Sequence, residues 1–134
     1  MIVTGGCHCG AVRYRIEGEP VAAALCHCSD CRRHAGAPMV GWTMFPEQAV
    51  KVTQGTPKLY RSSEHGRRQF CPDCGTGLLY SNATAMPGIV DVQTATFDDP
   101  EAVPPQVQVQ TAERLRWMER AHELPGFERY PAKL

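Results

Sequence analysis

The sequence has no excess of charge of either sign, because 14 Lys and Arg residues balance 14 Asp and Glu residues. A chain with balanced charge has no overall field that would attract a polyanion, so we expect no nucleic-acid partner. The sequence also lacks a long hydrophobic stretch. Its longest apolar run covers only residues 21–26, whereas a membrane helix needs about 20 apolar residues. We therefore expect no membrane partner.

Aromatic residues are scarce, at 7% of 134 positions, and the opening segment MIVTGGCHCG has no basic start followed by an apolar stretch. The first absence predicts a thin hydrophobic core that needs additional support. The second leads us to expect no secretory signal and a cytoplasmic location. No linker, repeat or low-complexity segment divides the chain, so we predict a single domain over residues 1–134.

Short segments in which apolar and polar residues alternate, closed by turn-forming residues, recur along the chain and are typical of half-buried strands. About nine such segments predict an all-β sandwich of short antiparallel strands. The predicted strands cover residues 12–16, 22–26, 39–45, 50–53, 58–61, 69–70, 77–80, 89–94 and 106–110.

Helix signals are few. Ser29 can cap a short helical turn over residues 30–34 that ends at Gly36. The charged residues 112–122 lack a regular three-to-four spacing of apolar side chains, so we predict an irregular or partly helical tail there. We interpret Trp117, in this tail, as an anchor in the hydrophobic core.

Cysteine gives the strongest signal, because the seven cysteines fall into three tight groups. A disulfide framework suits a secreted chain with an even count, whereas this count is odd and Cys-x-Cys neighbours do not readily pair with each other. Spacings of one or two residues are instead typical of metal ligands. The groups are Cys7 and Cys9; Cys26, Cys28 and Cys31; and Cys71 and Cys74.

Residues 70–75, Phe-Cys-Pro-Asp-Cys-Gly, have the form of a zinc knuckle, in which glycine permits the positive φ of the turn. Closed tetrahedral zinc needs four ligands, so Cys71 and Cys74 require a second pair, for which Cys7 and Cys9 are the natural candidates. Such a structural zinc would join the N-terminal strand to a distant hairpin. In small zinc domains it contributes roughly 10 to 16 kcal/mol of apparent folding free energy.

The middle group, Cys26, Cys28 and Cys31, offers three thiolates and leaves a fourth position open, which is the arrangement of catalytic zinc. His27 would point away from the metal if both neighbours face it, so we interpret it as a surface residue or as a support behind the ligands. Zinc with three thiolates is a poor activator of water but has a soft preference for sulfur. We predict that it holds a substrate thiol as the reactive thiolate.

Three motifs in order closely resemble the glutathione-dependent formaldehyde-activating enzyme family, also called the GFA or centromere-protein-V domain family. They are TGGCHCGAVRY at residues 4–14, CHCSDCRR at 26–33 and FCPDCG at 70–75, followed by Trp117. The resemblance implies an all-β fold of the β-tent type, a structural zinc on the first and third cysteine groups, and a second zinc on the middle group. It also implies a carbon-sulfur lyase that joins glutathione and formaldehyde reversibly into S-hydroxymethylglutathione.

The tail departs from the family pattern, because Gln108-Val109 stands where family members often carry a His-Ile pair. The role of that histidine is therefore in doubt here. Four arginines adjoin the second and third cysteine groups and could meet the carboxylates of a peptide thiol, but we interpret them as solvated surface residues. Ser29 and His27 could donate hydrogen bonds or move protons near the metal. The four arginines are Arg32, Arg33, Arg67 and Arg68.

Two hypotheses follow for the function. The first is a zinc-dependent carbon-sulfur lyase acting on an adduct of glutathione, or another small thiol, with formaldehyde or a related electrophile. The alternative is a non-catalytic, zinc-ribbon-like binding module. A nucleic-acid partner is the weaker form of this alternative, because seven thiolates and two zinc ions would add a net charge of about −3 to the chain. The sequence leaves open the oligomeric state and the identities of thiol and electrophile.

Overall fold

The computed structural model describes residues 1–133, and ten short strands make up most of its regular structure. The strands are β1 (Ile2–Gly6), β2 (Arg13–Glu17), β3 (Ala22–Cys26), β4 (Val40–Pro46), β5 (Val50–Gln54), β6 (Lys58–Arg61), β7 (Gly66–Phe70), β8 (Gly77–Asn82), β9 (Ile89–Gln93) and β10 (Val107–Val109). One α-helix, α1 (Ser29–Ala35), and 3-10 helices at Glu47–Ala49, Thr94–Thr96, Thr111–Glu113 and Arg116–Glu123 complete the described elements.

The strands form two sheets. β1, β2 and β5 make a three-stranded sheet in the order β1-β2-β5, and the other strands make a seven-stranded sheet in the order β10-β3-β4-β9-β8-β7-β6. Every pairing is antiparallel except that of β10 with β3, which is parallel. The prediction of an all-β fold is confirmed. The pairing of β10 with β3 is parallel because a long connection, and not a hairpin, leads to β10.

The hydrophobic core lies between the two sheets and is built by alternate residues of their facing strands. Tyr14 and Ile16 of β2 and Phe45 of β4 are almost completely buried in it. The Tyr14 ring meets the ring of Phe97 edge-on, with centroids 6.5 Å apart. Its hydroxyl forms a hydrogen bond of 2.7 Å with the hydroxyl of Thr96. Three of the ten aromatic residues, Tyr14, Phe45 and Phe97, thus pack where the sheets meet.

β1, Ile-Val-Thr-Gly-Gly, was missing from the predicted strands because its apolar and polar residues do not alternate and glycine, which fills two of its five positions, is depleted in strands. Tertiary packing requires one of these glycines. A Cβ atom at Gly5 would lie 2.3 Å from the Tyr14 hydroxyl oxygen and 2.5 Å from the Thr96 carbonyl oxygen. Each of the nine predicted segments overlaps an observed strand.

Helix α1 ends at Gly36, as predicted, where φ is 63°. The predicted cap is wrong, because Cys28 and not Ser29 precedes the helix and accepts a hydrogen bond from the Cys31 N–H. The prediction for Trp117 is also wrong, since this side chain is 59% exposed. It lies on the 3-10 helix Arg116–Glu123, which contains no buried residue. Within residues 1–133, no helix is long and apolar enough to cross a membrane.

Candidate functional site

The first candidate site is a cluster of four cysteines from two distant turns, Cys7 and Cys9 after β1, and Cys71 and Cys74 after β7. Their Sγ atoms all lie within 4.8 Å of one another. The Cys7 and Cys9 sulfurs are 3.6 Å apart, and those of Cys9 and Cys71 are 3.8 Å apart. A tetrahedron with zinc-sulfur bonds of about 2.3 Å has edges of about 3.8 Å, whereas a disulfide bond measures about 2.05 Å. The spacing therefore fits a metal ion.

Both halves of this cluster are built on tight turns that glycine permits. The Gly10 N–H donates to the Cys7 carbonyl at 3.1 Å, and the Gly75 N–H donates to the Cys71 carbonyl at 2.8 Å. Each glycine has a φ of 81°, in the left-handed region that side chains disfavour. The same local design thus presents a pair of sulfurs from each turn.

Hydrogen-bond donors stabilise the anionic form of two of these sulfurs, those of Cys74 and Cys7. At Cys9 the Ala11 N–H lowers the pKa, but the Cys7 thiol and burial raise it further, to about 12. The Thr76 hydroxyl lies 3.2 Å from the Cys74 Sγ, and this contact, together with the Thr76 N–H, lowers the pKa of Cys74 to about 5. Burial raises the pKa of Cys7, but the Val12 N–H, 3.2 Å from its Sγ, and the neighbouring thiols bring the pKa below its usual value. Because thiolate is the metal-binding form, the cluster is suited to a cation.

The second candidate site is a cluster of three cysteines at the junction of β3 and α1. The Sγ atoms of Cys26, Cys28 and Cys31 lie within 4.8 Å of one another. The Cys31 N–H donates to the Cys28 Sγ at 3.3 Å. Burial raises the pKa of Cys26 to about 12 and also raises the pKa of Cys31. These sulfurs therefore need a nearby positive charge to become thiolates, which a metal ion supplies on binding.

Arg68 provides one positive charge at this cluster. Its side chain is only 5% exposed, and its two terminal nitrogens lie 3.7 and 3.8 Å from the Cys31 Sγ. The guanidinium also lies over the Tyr80 ring, 4.8 Å from its centroid. The interpretation of Arg68 as a solvated residue is therefore wrong. The register of β7 with β8 pairs Arg68 with Tyr80 on the face that carries the cysteines.

His27 supports the cluster from behind. It is 1% exposed, so the surface interpretation is wrong, whereas its position outside the set of sulfurs agrees with the prediction. Its Nε2 lies 2.7 Å from the Oε1 of Gln108 on β10. Its backbone N–H donates to the Val109 carbonyl at 3.1 Å. Gln108, which departs from the family pattern, thus holds the histidine between Cys26 and Cys28.

A cavity of about 400 Å³ adjoins the three-cysteine cluster on the outer face of the seven-stranded sheet. Trp42, Ala24, Met86 and Val107 are among its lining residues. The cavity is therefore mainly apolar. Strand register places a row of lining residues side by side across five strands, and the row ends at Arg68, whose guanidinium reaches the Cys31 sulfur. The row consists of Ala22, Met44, Asp91, Tyr80 and Arg68.

Asp91 is the unusual member of this row. It is 6% exposed, and its Oδ1 is buried with no hydrogen-bond partner in the described part of the chain. Burial raises the pKa of Asp91 to about 6, although the nearby Arg68 guanidinium lowers it. A buried carboxylate without a partner is costly, so a strongly perturbed one in a cleft marks a candidate functional site.

The comparison with known families agrees with this arrangement of cysteines. The model of the glutathione-dependent formaldehyde-activating enzyme family matches residues 2–113. The chain belongs to this family. The match spans both cysteine clusters and the strands that carry the cavity, so the family resemblance seen in the motifs is confirmed.

Individual relatives of the family are distant. A Halomonas elongata protein described as "Putative glutathione-dependent formaldehyde-activating enzyme" is 27% identical over 128 residues, covering 89% of this chain and 81% of that protein. An uncharacterized lyase of Schizosaccharomyces pombe is 30% identical over 77 residues, covering 58% of this chain and 56% of the relative. A Rhodobacter sphaeroides crystal structure matches with a TM-score of 0.63 at 25% identity, over 78% of this chain and 97% of that chain.

The other polar residues considered near the site, Ser29 and the remaining arginines, have partners or positions away from the sulfurs. The Ser29 hydroxyl donates to the Glu113 carboxylate at 3.0 Å, and Arg32 donates to the Glu113 carbonyl at 3.2 Å. Arg67 donates to backbone carbonyls of its own hairpin. Arg32 and Arg33 line a shallow surface groove together with Trp117. These contacts attach the chain after β10 to helix α1, beside the three-cysteine cluster.

Asp91 and Trp42 are the site residues that the sequence reasoning missed. The signal for Asp91 was present, because β9 reads Ile-Val-Asp-Val-Gln and a lone carboxylate among buried apolar residues is expensive. Trp42 gave no comparable signal, since an aromatic residue in a strand is most simply part of the core. Trp42 is assigned to the cavity only by the structure, in which it lies on β4 opposite Ala24 and lines the cavity with it.

Proposed function

We propose that the protein is a zinc-dependent carbon-sulfur lyase. Its substrate is an adduct of glutathione, or of another small thiol, with formaldehyde or a related electrophile. In the forward direction a thiol adds to a carbonyl: the sulfur-carbon bond forms, the thiol proton ends on the carbonyl oxygen, and no group leaves. The reverse reaction releases both reactants.

One observation carries this proposal, namely three sulfurs within 4.8 Å of one another beside an apolar cavity of about 400 Å³. Three cysteines leave one tetrahedral position for an exchangeable ligand. The apolar wall of Trp42 and Met44 restricts water, and a drier surrounding strengthens electrostatic contacts. The membership in a family named for glutathione and formaldehyde supports this choice of reactants.

We assign the catalytic zinc to Cys26, Cys28 and Cys31. A zinc ion there would keep an incoming thiol deprotonated at neutral pH, as soft thiolate ligands favour. Arg68 contributes a fixed positive charge 3.7 Å from the Cys31 Sγ, which stabilises the anionic sulfurs. His27, held by Gln108, orients the segment between the first two ligands.

We assign a second, structural zinc to Cys7, Cys9, Cys71 and Cys74. This site supports a different part of the protein, because its turns connect the small sheet to the β7-β8 hairpin. With four protein ligands it has no position for a substrate. A cytoplasmic location completes the proposal, since the cytosol keeps cysteines reduced and contains glutathione.

Glutathione titration by calorimetry tests the proposal on protein loaded with zinc. We expect saturable binding that disappears in Cys28→Ser and that S-methylglutathione, the same peptide with a blocked sulfur, does not reproduce. Adduct formation with formaldehyde is followed by NMR exchange in the same samples. If no small thiol binds in a Cys28-dependent way at millimolar concentration, the lyase assignment fails and the binding-module alternative replaces it.

A further inference from the structure

The cavity beside the three-cysteine cluster is too large for formaldehyde alone. It measures about 400 Å³, which lies within the range of roughly 300 to 1,000 Å³ for small-molecule sites. One water occupies about 30 Å³ of liquid, and formaldehyde has only one heavy atom more than water. A reactant of that size would leave most of the cavity unfilled.

The cavity extends along the strands away from the cysteines. Cys26 lies at one end of it and Ala22 at the other, both on β3. Four residue steps along a strand correspond to about 13 Å. Asp91 is in the row of Ala22, because β4 connects the two through Met44. An occupant that reaches from Cys26 to Asp91 must therefore be an extended molecule.

The Asp91 carboxylate lines the cavity and is available to a hydrogen-bond donor from outside the chain. The Asp91 Oδ1 has no partner among residues 1–133. The nearby cation, Arg68, directs its terminal nitrogens to the Cys31 sulfur instead. Asp30 also lines the cavity, so the two carboxylates outnumber the one guanidinium. This negative balance disfavours an anionic head group and favours an ammonium or hydroxyl group.

We propose that this cavity binds the organic group of the electrophile, and that this group has an extended apolar body ending in a hydrogen-bond donor that Asp91 accepts. The inference rests on the proposed function for the reacting sulfur. It makes the electrophile an aldehyde or related carbonyl compound with a chain of several carbons. Asp91 is then a specificity-determining residue four residue steps along the strands from Cys26.

Three sulfur-free probes test the cavity separately from thiol capture: hexylamine, hexan-1-ol and hexanoate. They have the same chain length and differ in the head group. The chain has two tryptophans, and Trp117→Phe leaves the cavity residue Trp42 as the fluorescent reporter. In this zinc-loaded background we expect hexylamine to bind at least about tenfold more tightly than hexanoate, with hexan-1-ol between them.

Asp91→Asn should reduce the preference for hexylamine over hexanoate to about twofold or less. Asp99→Asn, the same chemical change at an exposed position, should leave it unchanged. Saturating hexylamine should not weaken glutathione binding. Equal binding of hexylamine and hexanoate, absence of saturable binding, or an unchanged preference in Asp91→Asn overturns the inference. Even if Asp91→Asn does not fold, the order of affinities for the three probes in the zinc-loaded Trp117→Phe protein tests the inference.

The two proposals fail in different ways. Loss of glutathione binding overturns the proposed function while the probe ranking remains measurable. Competition between hexylamine and glutathione would place the thiol's own chain in the cavity and overturn the assignment to the electrophile. Failure of the probe ranking alone leaves thiol capture at Cys28 intact.

Discussion

Replacing Asp91 by asparagine should stabilise the protein at neutral pH. Burial raises the pKa of this carboxyl from 3.8 to about 6, so the folded chain holds its ionised form at a cost. A difference of this size corresponds to roughly 3 kcal/mol of unfolding free energy. Asparagine has nearly the same shape as the neutral carboxyl, so the substitution removes the charge and keeps the packing.

The gain should depend on pH with a definite sign. A carboxyl whose folded pKa exceeds its unfolded value costs nothing below the unfolded pKa of 3.8, and the cost grows until the pH passes about 6. We expect Asp91→Asn to raise the unfolding free energy by roughly 3 kcal/mol at pH 8 and by about half as much at pH 5. The gain in stability should be accompanied by the loss of selectivity among the cavity probes.

Urea denaturation of zinc-loaded wild type and variant at pH 5 and pH 8 measures this difference, because the metal sites are common to both proteins. Asp98→Asn is the matched control of opposite sign. Arg13 and Thr4 lower the pKa of Asp98 by hydrogen bonds, so its substitution should destabilise the protein about equally at pH 5 and pH 8, because both lie above the ordinary carboxyl pKa of 3.8. If Asp91→Asn destabilises the protein, or stabilises it equally at both pH values, the reasoning is wrong.

Three further outcomes are expected. Cys74→Ser should lower the melting temperature sharply, because losing a folding metal site costs several kcal/mol; a wild-type melt would contradict the structural assignment. Cys28→Ser should bind one metal ion fewer by elemental analysis and keep its strand signal in circular dichroism; loss of both ions would refute separate sites. Gln108→Leu should cost roughly 1 to 3 kcal/mol in urea denaturation, because His27 loses its 2.7 Å partner; an unchanged midpoint would show the bond to be unimportant.

The cysteine groups were predictable because their geometry is local. Two ligands separated by one or two residues, followed by a glycine in the left-handed region, form a turn whose amides and sulfurs face one point. Counting ligands was then enough to pair Cys7 and Cys9 with Cys71 and Cys74. The structure brings these four sulfurs together across 62 to 67 positions of sequence separation. That they bind zinc stays a prediction.

The alternation of apolar and polar residues also predicted the strands, because a half-buried strand has apolar residues on its core face and polar residues on its solvent face. It did not reveal β1, in which Gly5 is required by its close approach to Tyr14 and not by a strand preference. It was also wrong for Trp117, because residue type alone does not tell whether a tail packs into the core or lies on the surface.

The amino-acid sequence by itself determined the all-β class and the three cysteine groups, because both depend on residues that are neighbours along the chain. Only the tertiary structure decided which polar residues belong to the cavity. Arg68 and Asp91 are 23 positions apart on different strands, and the register of β7, β8 and β9 places them on either side of Tyr80. A shift of one residue in either pairing would turn a side chain to the opposite face of the sheet. The register of these strands is set by the packing of the whole sheet against the hydrophobic core.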